Sequence, residues 1–451
     1  SAALAKMPEP ERAALGRLAD PLAELAARLD RALVERPPPT DKEGGVVQDG
    51  FDKQLDQQRK RMKGGTEELV ALEERYVSLP ALTSAHSHAF QRALRGKTQR
   101  PGPSGTDDFW SWRTSMYALA ASLTPERLYT VSRVAFEELR RRGVLTVGEF
   151  HYLHHHADGT PYEERTTLAD CVIRAALDAG LRIALLRVVY NRKGPGQPAE
   201  GAQRRFSDHG LDEALQDVEH LLGRYRQHPR VRIGVAPHSV RAVPPAWLTE
   251  IARFAQHHAL PLHMHVAEQR AEIAACVAET GKRPIELCAD HGLLGERFVG
   301  VHATHLEEHE ARLLGESGST VCICPTTERD LGDGLPDLGA LWRHGVRLCA
   351  GVDSHVVTAP LEDLRGIELG ERLRTERRTV LAGREGRTPA EELWFAGSVE
   401  GARVCGFSDT GGRTLAGRAH PDLELVAEPE LLDAIVYGAQ ADVISSVRAD
   451  G

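Results

Sequence analysis

His86 and His88 stand one residue apart at the end of a short β-rich run. Alternate side chains of an extended strand share a face, so the two imidazoles lie about 7 Å apart along the chain and can reach one ion. A lone pair of that kind is weak evidence for a metal. Histidines and carboxylates then recur where later β-rich runs end: Glu149 and His151, His238 with Arg241, His265 with Glu268, His302 with His305, and Asp353 with His355. Packing does not explain titratable side chains that return at the same end of successive strands. Imidazole and carboxylate donors suit zinc, with Fe2+ or Mn2+ as alternatives. The matching chemistry is metal-assisted hydrolysis.

Eight runs read as the strands that must position these groups: 81–84, 145–150, 182–190, 231–236, 260–265, 298–302, 320–324 and 346–352. Most are short and apolar, as expected of parallel strands buried on both faces. Amphipathic stretches at 124–141, 168–179, 211–227 and 245–257 lie between them. Eight strands alternating with helices predict an α/β fold, a (β/α)8 TIM barrel whose active site sits at the C-terminal ends of the strands. A doubly wound sheet stays open on the pattern alone. No G-x-G-x-x-G or G-x-x-x-x-G-K-[ST] follows any strand, so its nucleotide-binding versions lose support.

Of the 451 residues 41% are hydrophobic, enough for a large core, and the net charge of -9 gives no electrostatic footprint for nucleic acid. No apolar run approaches the roughly 18 residues of a membrane span, and no signal-peptide pattern is evident. A cytoplasmic protein with neither membrane nor nucleic-acid partners is expected. Seven scattered cysteines read as reduced core residues. Three regions follow. Residues 1–77 read as a helical extension, with Leu15, Leu18, Leu22, Leu25, Leu29 and Leu33 on one helical face and prolines 37–39 ending it. Residues 78–385 hold the barrel. Residues 386–451 read as a helix followed by short mixed segments.

The order H-x-H, His, His-x-x-Glu, His, Asp resembles the amidohydrolase superfamily, in particular its mononuclear deaminase branch. The longer motifs at 86–95 (HSHAFQRALR), 108–117 (DFWSWRTSMY), 148–155, 237–243, 263–269, 301–305, 331–334 and 352–356 look like those of the N-formimino-L-glutamate deiminases. The resemblance spans residues 78–385. It implies one zinc on His86, His88, His265 and Asp353. His238 stands where a bridging lysine would, so a second metal is not expected. It further implies hydrolysis of N-formimino-L-glutamate to N-formyl-L-glutamate and ammonia, a step of histidine degradation. Asp353 would take the proton from water. Glu268 would protonate the departing nitrogen, while His302 and His238 orient or stabilise the tetrahedral intermediate. A substrate with two carboxylates calls for fixed guanidinium forks. Arg113 and Arg241 match the family's binding positions, and Gln91 and Tyr152 its further hydrogen-bonding positions. The resemblance also implies a homodimer.

Other histidines read as bystanders: 154–156 in the loop beyond the second strand, and His263 in a structural role. His305 and His355 rank behind His302 and Asp353. Trp110 and Trp112 are expected to pack a loop over the site. Two alternatives stand beside the deiminase reading. One is the same chemistry on another amidine or an aminated heterocycle; the other is a non-catalytic metal-binding or interaction protein. At its ends the chain departs from the family. Relatives begin with short strands that join C-terminal strands in a small β-sandwich, whereas residues 1–77 look helical. The run from Gly417 to Val426 reads as a remnant of that sandwich, so a reduced C-terminal β segment is expected. Residues 24–76 resemble a core helical fragment of mismatch-repair ATPases of the MutS family. They lack a phosphate loop, and no DNA binding is inferred from them.

Overall fold

Each of the eight expected strands forms. They are β2 (Leu82–Ser87), β3 (Val144–His151), β4 (Arg182–Val189), β5 (Val231–Pro237), β6 (Leu262–Val266), β7 (Phe298–His302), β8 (Thr320–Ile323) and β9 (Arg347–Ala350). The computed structural model describes residues 75–99 and 108–449, so the helical extension and the mismatch-repair resemblance lie outside the described residues, save Arg75 and the strand below. The strands pair in sequence order, each parallel to the next. The chain beyond β9 returns to β2 through a parallel bridge between Ser87 and Asp353. Three hydrogen bonds hold that closure: Val352 N to Ser84 Oγ at 3.1 Å, Asp353 N to His86 O at 3.1 Å, and His88 N to Asp353 O at 2.9 Å. The result is a (β/α)8 barrel.

Gly351 lets the last strand approach the first. A Cβ there would stand 2.7 Å from His86 Cβ and 2.8 Å from His86 O. Gly351→Ala is expected to destabilise the barrel by about 1–3 kcal/mol, the range for overpacking. A lowered midpoint in a thermal melt would read this out.

The helices cover the outside of the barrel. α1 (Phe109–Ser122) starts at Asp108, whose side chain accepts from the backbone N–H of Trp110 and Ser111. α2 (Pro125–Arg141) starts at Thr124 with proline at its first position, and buries Leu128, Ala135, Phe136 and Leu139 at helical spacing. The helix expected over 245–257 spans Pro245–His257. At the N-terminal end of the barrel, Val404, Cys405 and Phe407 pack against Ala85, Ala184, Val299, Val301 and Cys322 as a plug. All seven cysteines are unpaired thiols.

A separate antiparallel sheet has the order β1-β10-β11, with β1 at Tyr76–Pro80, β10 at Gly412–Gly417 and β11 at Ile444–Ala449. Its strands β10 and β11 lie where a reduced C-terminal β segment is expected. β1 takes up Tyr76 and Val77, the last two residues of the stretch that reads as helical. Its five residues alternate only Val77 and Leu79 and end in proline, too short a run to stand out. The boundary expected at residue 78 falls inside it. Past β10, the expected remnant turns into the short 3-10 segment Pro421–Leu423.

Candidate active site

The C-terminal ends of the strands converge on one cavity. Its lining includes His88, His238, His265, Glu268, His302 and Asp353, together with Gln91, Arg113, Tyr152 and Arg241. Every candidate site residue therefore borders this cavity except His86, which is fully buried beside it.

His86 and His88 leave β2 on one face. Their Nε2 atoms are 3.2 Å apart, and His265 Nε2 lies 3.1 Å from that of His86. The outer nitrogens fix the tautomers. His88 Nδ1 faces Phe150 O and His265 Nδ1 faces His238 O, both at 3.1 Å, and a carbonyl accepts only from N–H. The Nε2 atoms of His88 and His265 therefore present lone pairs. Burial pushes all three imidazoles down, His86 to about 3, so they are neutral near pH 7. The single nitrogen of His86 between them cannot satisfy both. A cation bound by all three satisfies them together, and Asp353 Oδ1 adds an anionic donor 3.5 Å from His86 Nε2 and 3.2 Å from His88 Nε2. The set fits a divalent metal with nitrogen and oxygen ligands.

Asp353 and His302 both carry positive φ, 51° and 70°. Strain of this kind persists where the surroundings hold it, commonly at active sites. His302 Nε2 lies 3.7 Å from Asp353 Oδ2 and 3.9 Å from Glu268 Oε1. Burial opposes charge on His302, but Glu268, Glu328 and Asp353 outweigh it and raise its pKa. Burial raises Asp353 too, yet the three neighbouring imidazoles hold it well below the usual carboxylate range. Burial keeps the Glu268 carboxyl well above that range despite His302.

Glu328, Tyr117 and Tyr190 escaped the sequence reading, and Glu149, read there as a strand-end carboxylate, takes a bracing role. Glu328 Oε1 accepts from Cys324 N at 2.8 Å and faces His302 Nδ1 at 3.2 Å, so it orients that ring. Glu149 accepts from the Ser87 hydroxyl at 2.6 Å and from Ala89 N at 2.9 Å, which braces the turn carrying His88. Tyr117 and Tyr190 also line the cavity. The expected bystanders each make a contact away from the cluster. His263 faces Val404 O at 3.0 Å in the plug, His154 faces Val188 O, and His155 faces Ser207 O. His355 lies 2.9 Å from Ser87 Oγ, behind the ligands. Trp112 lines the cavity, whereas Trp110 is exposed and stacks under the Arg113 guanidinium.

Residues 77–451 match the profile of the Amidohydrolase family. The chain belongs to that family. It is 36% identical over 329 residues to the formimidoylglutamate deiminase of Pseudomonas aeruginosa, covering 73% of this chain and 72% of that one. It is 29% identical over 378 residues to an 8-oxoguanine deaminase of the same organism, covering 83% and 78%. Among solved structures, an amidohydrolase from Brucella melitensis superposes with a TM-score of 0.74 at 33% identity, over 80% of this chain and 81% of that one. A zinc-bound adenosine deaminase from Xanthomonas campestris superposes at 0.69 and 22% identity, over 83% and 79%, a likeness of fold alone. As an amidohydrolase with deaminase relatives, the protein is a hydrolase of C–N bonds. Among the described residues no helix is long and apolar enough to cross a membrane.

Proposed function

We propose that the protein hydrolyses N-formimino-L-glutamate to N-formyl-L-glutamate and ammonia, with one zinc held by His86, His88, His265 and Asp353. One observation carries the substrate: two guanidiniums, Arg113 and Arg241, border the same cavity as the histidine and carboxylate cluster. Two cations in a half-closed pocket match two carboxylates. The similarity to the Pseudomonas enzyme supports the same reading.

When bound, the ion supplies Lewis acidity that makes water nucleophilic near neutral pH. The protein's own groups do the rest. Asp353 accepts a proton from the attacking water. Glu268 delivers a proton to the imino nitrogen; as the tetrahedral adduct collapses, Glu268 takes back the hydroxyl proton, Asp353 passes its proton to the amino nitrogen, and the carbon–nitrogen bond breaks with release of ammonia. His302 and His238 face the reacting carbon and stabilise its tetrahedral state. Gln91 Nε2 donates to Tyr152 Oη at 2.7 Å, while Gln91 Oε1 is buried with no protein partner, an acceptor for a substrate N–H.

The test is ammonia release from N-formimino-L-glutamate by the zinc-loaded chain. Arg241→Met should cut kcat/KM by roughly 10- to 100-fold, the loss of a hydrogen-bonded charge, chiefly through KM and at unchanged zinc content. No turnover by folded, zinc-loaded protein would sink this reading in favour of another amidine or an aminated heterocycle.

A further inference from the structure

Gln203 lies in the 3-10 turn Gly201–Arg205, beyond β4, and is buried. Its Oε1 accepts from Glu200 N at 3.3 Å. A backbone N–H can only donate, so this contact fixes which way the amide faces. Its Nε2 then donates twice, to Tyr117 Oη at 3.1 Å and to Tyr190 Oη at 2.9 Å. The Arg241 guanidinium lies near Tyr190, and its Nη1 donates to Lys193 O at 3.2 Å. Both phenolic oxygens are thereby acceptors toward Gln203, and each O–H hydrogen must point elsewhere. Both rings border the cavity, together with Arg113 and Arg241. Burial and the neighbouring Tyr190 push the Tyr117 hydroxyl up to about 12, against the pull of the two arginines, so it keeps its proton.

We propose that Tyr117 and Tyr190, their oxygens pinned by Gln203, form a pair of hydroxyl donors that receive a substrate carboxylate beside Arg113 and Arg241. The proposal deepens the deiminase reading and rests on its carboxylate-bearing substrate. Gln203 is a positioning residue; the tyrosines touch the substrate. The arrangement also sets specificity. A neutral aminated heterocycle would leave the two hydroxyls and the buried Arg113 Nη1 without acceptors, and a site built to hydrogen-bond a group rejects the analogue that lacks it.

The experiment uses the full zinc-loaded chain and two readouts: binding of glutarate, a five-carbon dicarboxylate, by calorimetry, and kinetics on N-formimino-L-glutamate. Tyr117→Phe and Tyr190→Phe should each weaken glutarate binding roughly tenfold, as expected for one hydrogen bond to a charged group, and raise KM more than they lower kcat. Gln203→Glu keeps the shape but captures both hydroxyl protons, whereas Gln203→Leu only releases them. Gln203→Glu should therefore weaken binding more than Gln203→Leu; a purely structural role predicts the reverse order. The proposal is overturned if wild type does not bind glutarate, if both phenylalanine variants stay within twofold of it, or if Gln203→Leu is the more damaging. Glutarate binding that depends on the tyrosines, without ammonia release by wild type, would sink the deiminase substrate and leave the carboxylate receptor standing. Ammonia release with an unmoved KM in the doubly substituted chain would do the opposite.

Discussion

Asp353→Asn is expected to lower kcat for N-formimino-L-glutamate by at least about 1000-fold, within the usual span for loss of a general base, while the barrel stays closed. The closure rests on the backbone of Asp353, whose N–H donates to His86 O and whose carbonyl accepts from His88 N. Asparagine is also among the few residues that tolerate the positive φ found there. What the substitution removes is the negative charge. In the wild type that carboxylate is held anionic by His86, His88 and His302. It can therefore serve both as a ligand to a cation and as the acceptor of a proton from water. Zinc content measured on the same preparation separates the two losses. An asparagine variant that keeps its zinc and turns over within tenfold of wild type would take the proton acceptor away from Asp353.

The candidate site residues were legible because their strands were. A barrel strand is buried on both sides, so it reads as a short apolar run, and a polar residue at its end is conspicuous. Residues 260–265 show this: His263 and His265 share a face, yet one joins the plug at Val404 and the other joins the metal cluster. Alternation could put both inside the barrel. It could not say that His263 lies one layer deeper, because depth depends on what fills the bottom, and the plug comes some 140 residues later. The same limit hid Glu328 and Gln203. Each is a single polar residue at the start of a helix or turn, with no period to mark it. Its role appears only when a strand distant in sequence brings His302 or Tyr190 alongside. Arg205, in a run that looks like surface, is buried with its guanidinium on Ala120 O and Leu123 O, where it anchors the C-terminal end of α1 and so the placement of Arg113. β1 was missed for another reason: a five-residue strand is defined by its partner β10, more than 300 positions away.

Glu268→Gln should leave folding, zinc content and KM close to wild type and lower kcat by about 100- to 10,000-fold. Glu268 follows His265 by three residues. The left-handed turn at Ala267, with φ of 51°, carries it round into the cavity. Burial raises its pKa, and the carboxylates of Asp333, Asp353 and Glu272 raise it further, while His302 pulls the other way. The net direction is upward, so the carboxyl carries a proton below the raised pKa and loses it above. Zinc at the histidines would draw that pKa back toward the ordinary range, because it favours the anion. The ordering survives: the acid form does the work, and the wild-type rate falls on the alkaline side as the proton leaves. Glutamine has the same shape and can still hydrogen-bond the imine nitrogen, but it cannot transfer a proton. Its residual rate should therefore lack the alkaline limb that Glu268 contributes. A glutamine variant retaining more than a tenth of wild-type kcat, or one whose alkaline limb persists, would move the proton donor to His302. That imidazole lies 3.9 Å from Glu268 and has a raised pKa, so it too can carry a proton.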